Sequence, residues 1–143
     1  MSPRIMGIDY GSKRLGVAIS DTSATLAQPV AVIERSQSQD GLAGLAKLVD
    51  DYDIERIVIG YPRTLSGDVG PQAIVVDDFI KSLRGAFHVP VDRYDERLSS
   101  KEARTWLAQM GVRGRKAKGA IDKVAAALVL QSYLDRRAGR ART

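Results

Sequence analysis

Cysteine is absent from this sequence, and histidine occurs once, at His88. Disulfides and thiolate metal centres are therefore excluded, no imidazole cluster can form, and any bound metal must be held by oxygen. Oxygen donors favour magnesium or manganese over zinc. Aromatic residues make up only 6% of the chain, which leaves little ring surface for stacking single-stranded bases. No apolar run approaches bilayer length, and Met1-Ser2-Pro3-Arg4 has no secretory pattern behind it, so a cytoplasmic location without membrane contact is expected. What is present is ordinary for a globular chain: 143 residues, 44% hydrophobic and 27% charged, predict a single domain over 1–143 with a real core.

Charge is unevenly spread. Residues 1–96 hold 10 Lys and Arg against 14 Asp and Glu, whereas residues 97–143 hold 12 against 3, so that −4 and +9 make the overall +5. A carboxyl-terminal third this basic points to an anionic partner, nucleic acid first, although a solvated basic surface would show the same pattern.

The rest of the chain is organised around Arg4 to Asp21. Ile5, Met6 and Ile8, interrupted by Gly7, read as a strand buried on both faces, ending in Asp9. Gly11 and Gly16 flank a turn carrying Lys13 and Arg14, and Leu15 to Ile19 resumes a strand, which predicts a hairpin. An acid closing a central strand before a tight turn suits a metal ion or a phosphate, but spacing alone fits an Asp that merely caps its own turn equally well. Pro29 to Ile33 reads as a third antiparallel strand. Leu42, Leu45, Ala46 and Val49 have the i, i+3, i+4, i+7 spacing of a crossover helix, and Arg56 to Gly60 then reads as a buried strand parallel to its neighbour.

A loop with three glycines and two prolines, Gly60 to Pro71, follows at the carboxyl end of that strand. Ligands bind at that end of open α/β sheets, so Arg63 is a candidate phosphate contact, although such loops are more often plain connections. Val76, Phe79, Ile80 and Leu83 mark the core face of the next helix. Val89 to Arg97 reads as a fifth strand, placed at an edge by Pro90 and ending in Asp95 and Glu96. Ser99 and Glu102 form a capping box for a helix with Ala103, Trp106, Leu107 and Met110 on its apolar face, closed by Gly111. Gly111 to Gly119, with Arg113, Arg115, Lys116 and Lys118, is basic and without periodicity and predicts a mobile exposed loop able to close over a polyanion. From Ala120 a helix apolar on nearly every side must be buried against the sheet, with Asp122 in its first turn, where the helix dipole by itself suffices to explain an acid. A basic tail is expected from about residue 136.

The expected sheet order is 3-2-1-4-5, which brings Asp9 and Glu96 to strand ends and lets Asp122 join them if the last helix starts nearby. Three converging carboxylates repel unless a divalent cation binds, so magnesium is expected there. Regular strand alternation turns Asp95 to the other face, and Glu96 is preferred as the second acid for its longer reach, with Asp95 as the alternative.

Four motifs in order then match a known family: Gly7-Ile-Asp9-Tyr-Gly11 through Asp21, Gly60-Tyr61-Pro62 with Gly67, Asp95-Glu96-Arg97-Leu98-Ser99, and Lys118-Gly119-Ala120-Ile121-Asp122 through Ala126. Over nearly the whole chain the sequence resembles the YqgF family, also called RuvX, bacterial proteins of the ribonuclease H-like fold related to Holliday-junction resolvases. One departure is Ser99-Ser100, where the family often has threonines; both cap helices. The resemblance implies an α/β, ribonuclease H-like fold with a five-stranded mixed sheet flanked by helices. It also implies a carboxylate triad of Asp9, Glu96 and Asp122, and a nuclease maturing the 5′ end of pre-16S ribosomal RNA. The expected chemistry is phosphodiester hydrolysis with two Mg²⁺ (or Mn²⁺) ions, the backbone phosphates being met by Lys13, Arg14, Arg63, Arg113, Arg115, Lys116 and Lys118. Branched DNA as substrate, as for a Holliday junction resolvase, is one alternative, and a non-catalytic ribosomal-RNA-binding assembly factor is another. Asp9-Tyr10-Gly11 also resembles the phosphate turn of actin and sugar kinases, which close a nucleotide between two such domains where 143 residues supply one. Related resolvases act as dimers, which leaves a homodimer open.

Overall fold

The computed structural model describes residues 4–11, 14–36, 38–62, 71–96 and 115–137, apart from the side chains of 38–40, 61–62, 71–73, 95–96 and 115–123. Five strands form one sheet: β1 (Arg4–Tyr10), β2 (Arg14–Ser20), β3 (Ala27–Glu34), β4 (Ile54–Pro62) and β5 (Val91–Glu96), in the order β3-β2-β1-β4-β5. β1, β2 and β3 pair antiparallel, while β4 runs parallel to both β1 and β5. This is the expected order, and β5 lies at the edge that Pro90 suggested. The other edge carries its own proline: Pro29 in β3 sits at the register shift between Val17 and Ala18 of β2, where a missing N–H does least harm.

Among the described residues three helices cover the sheet: α1 (Ser38–Asp51), α2 (Pro71–Ala86) and α3 (Arg115–Arg137). Strand alternation divides the core in two. Met6, Ile8, Leu15, Val17, Ile57, Ile59 and Val91 point to one face, where Leu45 of α1 and Val76, Phe79, Ile80 and Leu83 of α2 meet them. Ile5, Ala18 and Val58 point to the other, against Ala126, Ala127, Leu130 and Leu134 of α3. Leu130 and Leu134 are almost wholly buried, each removing enough apolar area to favour folding by about 1.5–3 kcal/mol. α1 closes with Asp53 in the left-handed region (φ 53°), its N–H donating to the Asp50 carbonyl.

Two expectations require correction. The basic stretch does not remain a loop up to Gly119: α3 begins at Arg115, so Arg115, Lys116 and Lys118 stand on its opening turns and Asp122 lies past the first turn. Arg, Lys and Ala are good helix formers, and their propensity together with the apolar run beyond outweighs the roughly 1 kcal/mol that Gly119 costs. Arg136 and Arg137, expected to open the basic tail, instead form the last turn of α3, where cations favour the helix dipole; the rest of that stretch lies outside the described residues. The capping-box helix of Ser99 to Gly111, with Trp106, lies outside the described residues, as do Lys13, Arg63 and Arg113.

Candidate active site

Asp9 is the next-to-last residue of β1. It pairs with Gly16 across the hairpin and is half-buried. Alternation along β1 assigns it, with Ile5 and Gly7, to the face covered by α3. The turn after it is closed by the Gly11 N–H donating to the Arg14 carbonyl at 2.9 Å. A side chain on Gly11 would come within 2.6 Å of that same carbonyl, which is why glycine occupies the position. Arg35, beyond the end of β3, fixes the turn from outside. Its Nη1 donates to the Gly11 carbonyl at 2.9 Å, and its guanidinium lies 4.2 Å from the centre of the Tyr10 ring. The Tyr10 ring in turn contacts Phe79 of α2 at 4.6 Å. Nothing in the sequence pattern singles out Arg35. The available signal was register, since Glu34 pairs with Arg14 and so brings residue 35 beside the hairpin.

Register also locates position 96. Ile8 pairs with Ile59, so Asp9, one residue on, is level with Gly60, which pairs with Tyr94. Glu96 is two residues further along β5, in phase with Asp92 and Tyr94, both of which meet α3. Asp95 is out of phase, on the face of Arg93, which meets Asp77 of α2. Two strand spacings across and two residues along separate the α-carbons of 9 and 96 by about 12 Å.

The backbone of α3 runs toward the same end with position 122. It crosses the sheet so closely at β1 that a Cβ on Gly7 would sit 2.7 Å from Leu130 Cβ and 3.2 Å from the Ala126 carbonyl oxygen. One residue past Leu130, Gln131 already bonds the Ala27 N–H and the Thr25 carbonyl, each at 2.9 Å, at the end of the sheet where β1 begins. The preceding turn therefore runs toward the end where β1 finishes. Asp122 is four residues before Ala126, a rise of about 6 Å, and Asp9 is two residues past Gly7, about 6.6 Å. The side chains of Glu96 and Asp122 lie outside the described residues, and among the described ones no three His, Asp or Glu side chains converge.

Polar contacts brace α3 against β5. Tyr94 and Ser132 share a hydrogen bond of 2.8 Å between their hydroxyls, and Tyr133 Oη donates to Asp92 Oδ2 at 3.2 Å. Arg56 bonds the same Asp92 oxygen, which raises its pKa above the ordinary value. Burial pushes the Tyr133 phenol above 10.0, and the Asp92 carboxylate adds to the shift. Of the candidate phosphate contacts, Arg14 opens β2 and is half-buried, whereas the side chains of Arg115, Lys116 and Lys118 lie outside the described residues. Asp21, in the first motif, serves the β2–β3 turn: its carboxylate accepts the N–H groups of Thr25 at 2.8 Å and Leu26 at 3.2 Å.

Comparison with known proteins gives concordant results. The sequence model of the RuvX family, described as Holliday junction resolvase, matches residues 3–136. A protein of Syntrophus aciditrophicus is 46% identical over 132 residues, covering 92% of this chain and 88% of its own length. One of Halothermothrix orenii is 45% identical over 132 residues, covering 92% and 94%. Both are provisionally named pre-16S rRNA nucleases. Among solved structures, the Fowlpox virus resolvase bound to Holliday junction DNA aligns with a TM-score of 0.56 at 14% identity, covering 94% of this chain and 98% of that one. Thermus thermophilus RuvC aligns at 0.54 and 16% identity, covering 97% and 98%. At such identities these two structures speak for the fold alone.

Proposed function

The chain belongs to the RuvX family, described as Holliday junction resolvase, and from that premise we propose that it is a nuclease that hydrolyses phosphodiester bonds of structured nucleic acid, processing the 5′ end of pre-16S ribosomal RNA. What supports the reading is backbone placement: β1 and β5 carry positions 9 and 96 toward the same end of the sheet, and the turns of α3 before Ala126 run toward that end with position 122. Asp9, Glu96 and Asp122 are the residues that would hold a divalent cation. The donor set fits a hard ion, since a chain without cysteine offers carboxylate oxygen there and magnesium or manganese prefers it. When bound, such ions supply an acidified water and stabilise charge on the leaving oxygen.

The protein's own groups do the positioning. Arg35 and Gly11 hold rigid the turn that follows Asp9, and Arg14 stands where a phosphate beside that turn would lie. Arg115, Lys116 and Lys118 stand at the amino end of α3, where exposed N–H groups and the helix dipole reinforce their attraction for phosphate. The few aromatic residues favour recognition of shape and backbone over stacked bases.

The test is Asp9→Asn, assayed for Mg²⁺-dependent cleavage of a structured pre-16S fragment. Cleavage is expected to drop to background while the melting temperature holds, and a folded variant cutting at the wild-type rate would overturn the site. Branched DNA is the second reading, favoured by the family's description. A four-way junction assayed in parallel decides it, the faster-cut substrate being the native class. Activity that a chelator abolishes separates both readings from a non-catalytic assembly factor.

A further inference from the structure

Val76, Phe79, Ile80 and Leu83 make the buried face of α2. Directly opposite them, Ile74, Asp78, Lys81 and Gly85 follow at spacings of four, three and four residues, which sets all four in one narrow stripe along the helix. Every member of the stripe is exposed. Ile74 leaves 66% of its surface open and Val75, on the flank of the stripe, 45%, so two adjacent large apolar side chains stand on the outside of a helix whose inner face already holds four buried ones. Exposed apolar residues are ordinary taken singly, and what sets this stripe apart is the order of its members.

That order is self-complementary. A second copy of α2 laid antiparallel along the first, about a two-fold axis between positions 79 and 80, sets Asp78 against Lys81 of the second copy and Ile74 against its Gly85, where the missing side chain leaves room for the isoleucine. Each contact then occurs twice, as an isologous interface requires. A parallel pairing would instead oppose Asp78 to Asp78 and Lys81 to Lys81, which like charges disfavour. We propose that this chain forms a two-fold homodimer through the outward stripe of α2. From Ile74 to Gly85 the stripe runs about 16 Å, three turns of helix, less than the roughly 1,200–2,000 Å² that stable interfaces bury, so association in the micromolar range is expected. α2 covers the face of the sheet away from α3, whereas Asp9 belongs to the α3 face, so the pairing does not cover position 9 and does not depend on the nuclease reading.

The experiment is sedimentation equilibrium of the full chain from about 10 μM to about 1 mM, which brackets a micromolar dimer. Asp78→Lys and Lys81→Asp each place like charges across the axis at two points, and each should weaken dimerisation on the order of tenfold. Mixing the two variants restores both opposite-charge pairs, so their heterodimer should form as tightly as the wild-type dimer, a rescue that a change confined to one helix could not produce. Ile74→Ser should weaken dimerisation by about tenfold as well, since the axis repeats the loss. Lys47→Asp, on α1 with 78% of the lysine side chain exposed, reverses a charge outside the stripe and should leave the dimer unchanged. A wild-type chain still monomeric at about 1 mM overturns the proposal and leaves the stripe to a partner of another kind. A mixture no tighter than its separate components, a dimer undiminished by Ile74→Ser, or a Lys47→Asp control that loses as much also overturns it.

Discussion

Adding one methyl group at Gly7 tests the close crossing of α3 over β1. A Cβ there would lie 2.7 Å from Leu130 Cβ, where ordinary contact begins at 3.4 Å, so the helix must retreat by at least 0.7 Å or the strand must bend. Leu130 cannot relieve the clash by changing rotamer, because the atom it presents is its own Cβ. The Ala126 carbonyl at 3.2 Å blocks escape along the helix. Overpacking of this kind costs about 1–3 kcal/mol. For a chain of this length, that is a fall of roughly 3–10 °C in melting temperature. The same retreat shifts Asp122 relative to Asp9, and misplacement on the order of 1 Å costs up to about 100-fold in rate. Gly7→Ala should therefore melt lower and cleave about 10- to 100-fold more slowly. Gly85→Ala in α2 is the matched control: nothing lies within 4 Å of its added Cβ, and replacing a helical glycine should stabilise by about 0.5–1 kcal/mol. Calorimetry and single-turnover cleavage measure both. A Gly7→Ala protein that melts within 1 °C of wild type (about 0.3 kcal/mol here) and cuts at full rate would refute the packing geometry on which the placement of Asp122 depends.

Further outcomes follow from other contacts. Arg35→Ala removes a charged donor from the Gly11 carbonyl and a cation from the Tyr10 face, which should cost about 1–3 kcal/mol and slow cleavage, and an unchanged melting temperature would show that Arg35 does not hold the turn. The Asp21 carboxyl is held below the ordinary aspartate value of 3.8, chiefly by the Thr25 N–H and then by that of Leu26. A depressed acid stabilises the fold above the unfolded value and loses that contribution as pH falls through the folded one, so its NMR titration midpoint should lie below 3.8, and a midpoint at or above it would refute the carboxylate's role in the turn.

Much of this was legible in the order of residues. The apolar run of Ile5, Met6 and Ile8 around Gly7 needs cover on both faces, and it lies at the centre of the sheet with α1 and α2 on one side and α3 on the other. Period-two alternation puts positions 95 and 96 on opposite faces of β5, because the phase of a strand follows from which of its residues are apolar. The start of α3 was misjudged because glycine and basic residues were read as a loop, whereas helix propensity and the burial of the run beyond them decided the matter. Arg35 was missed because its partner, the Gly11 carbonyl, is 24 residues away in sequence and belongs to the backbone, which no side-chain pattern reports.

The sequence by itself determined the strand order and the faces of the elements, since these follow from local periodicity and from composition. Only the tertiary structure decided how closely α3 approaches Gly7 and that Arg35 clasps the turn after Asp9. Those are distances between segments far apart along the chain, set by packing across the sheet rather than by any local preference.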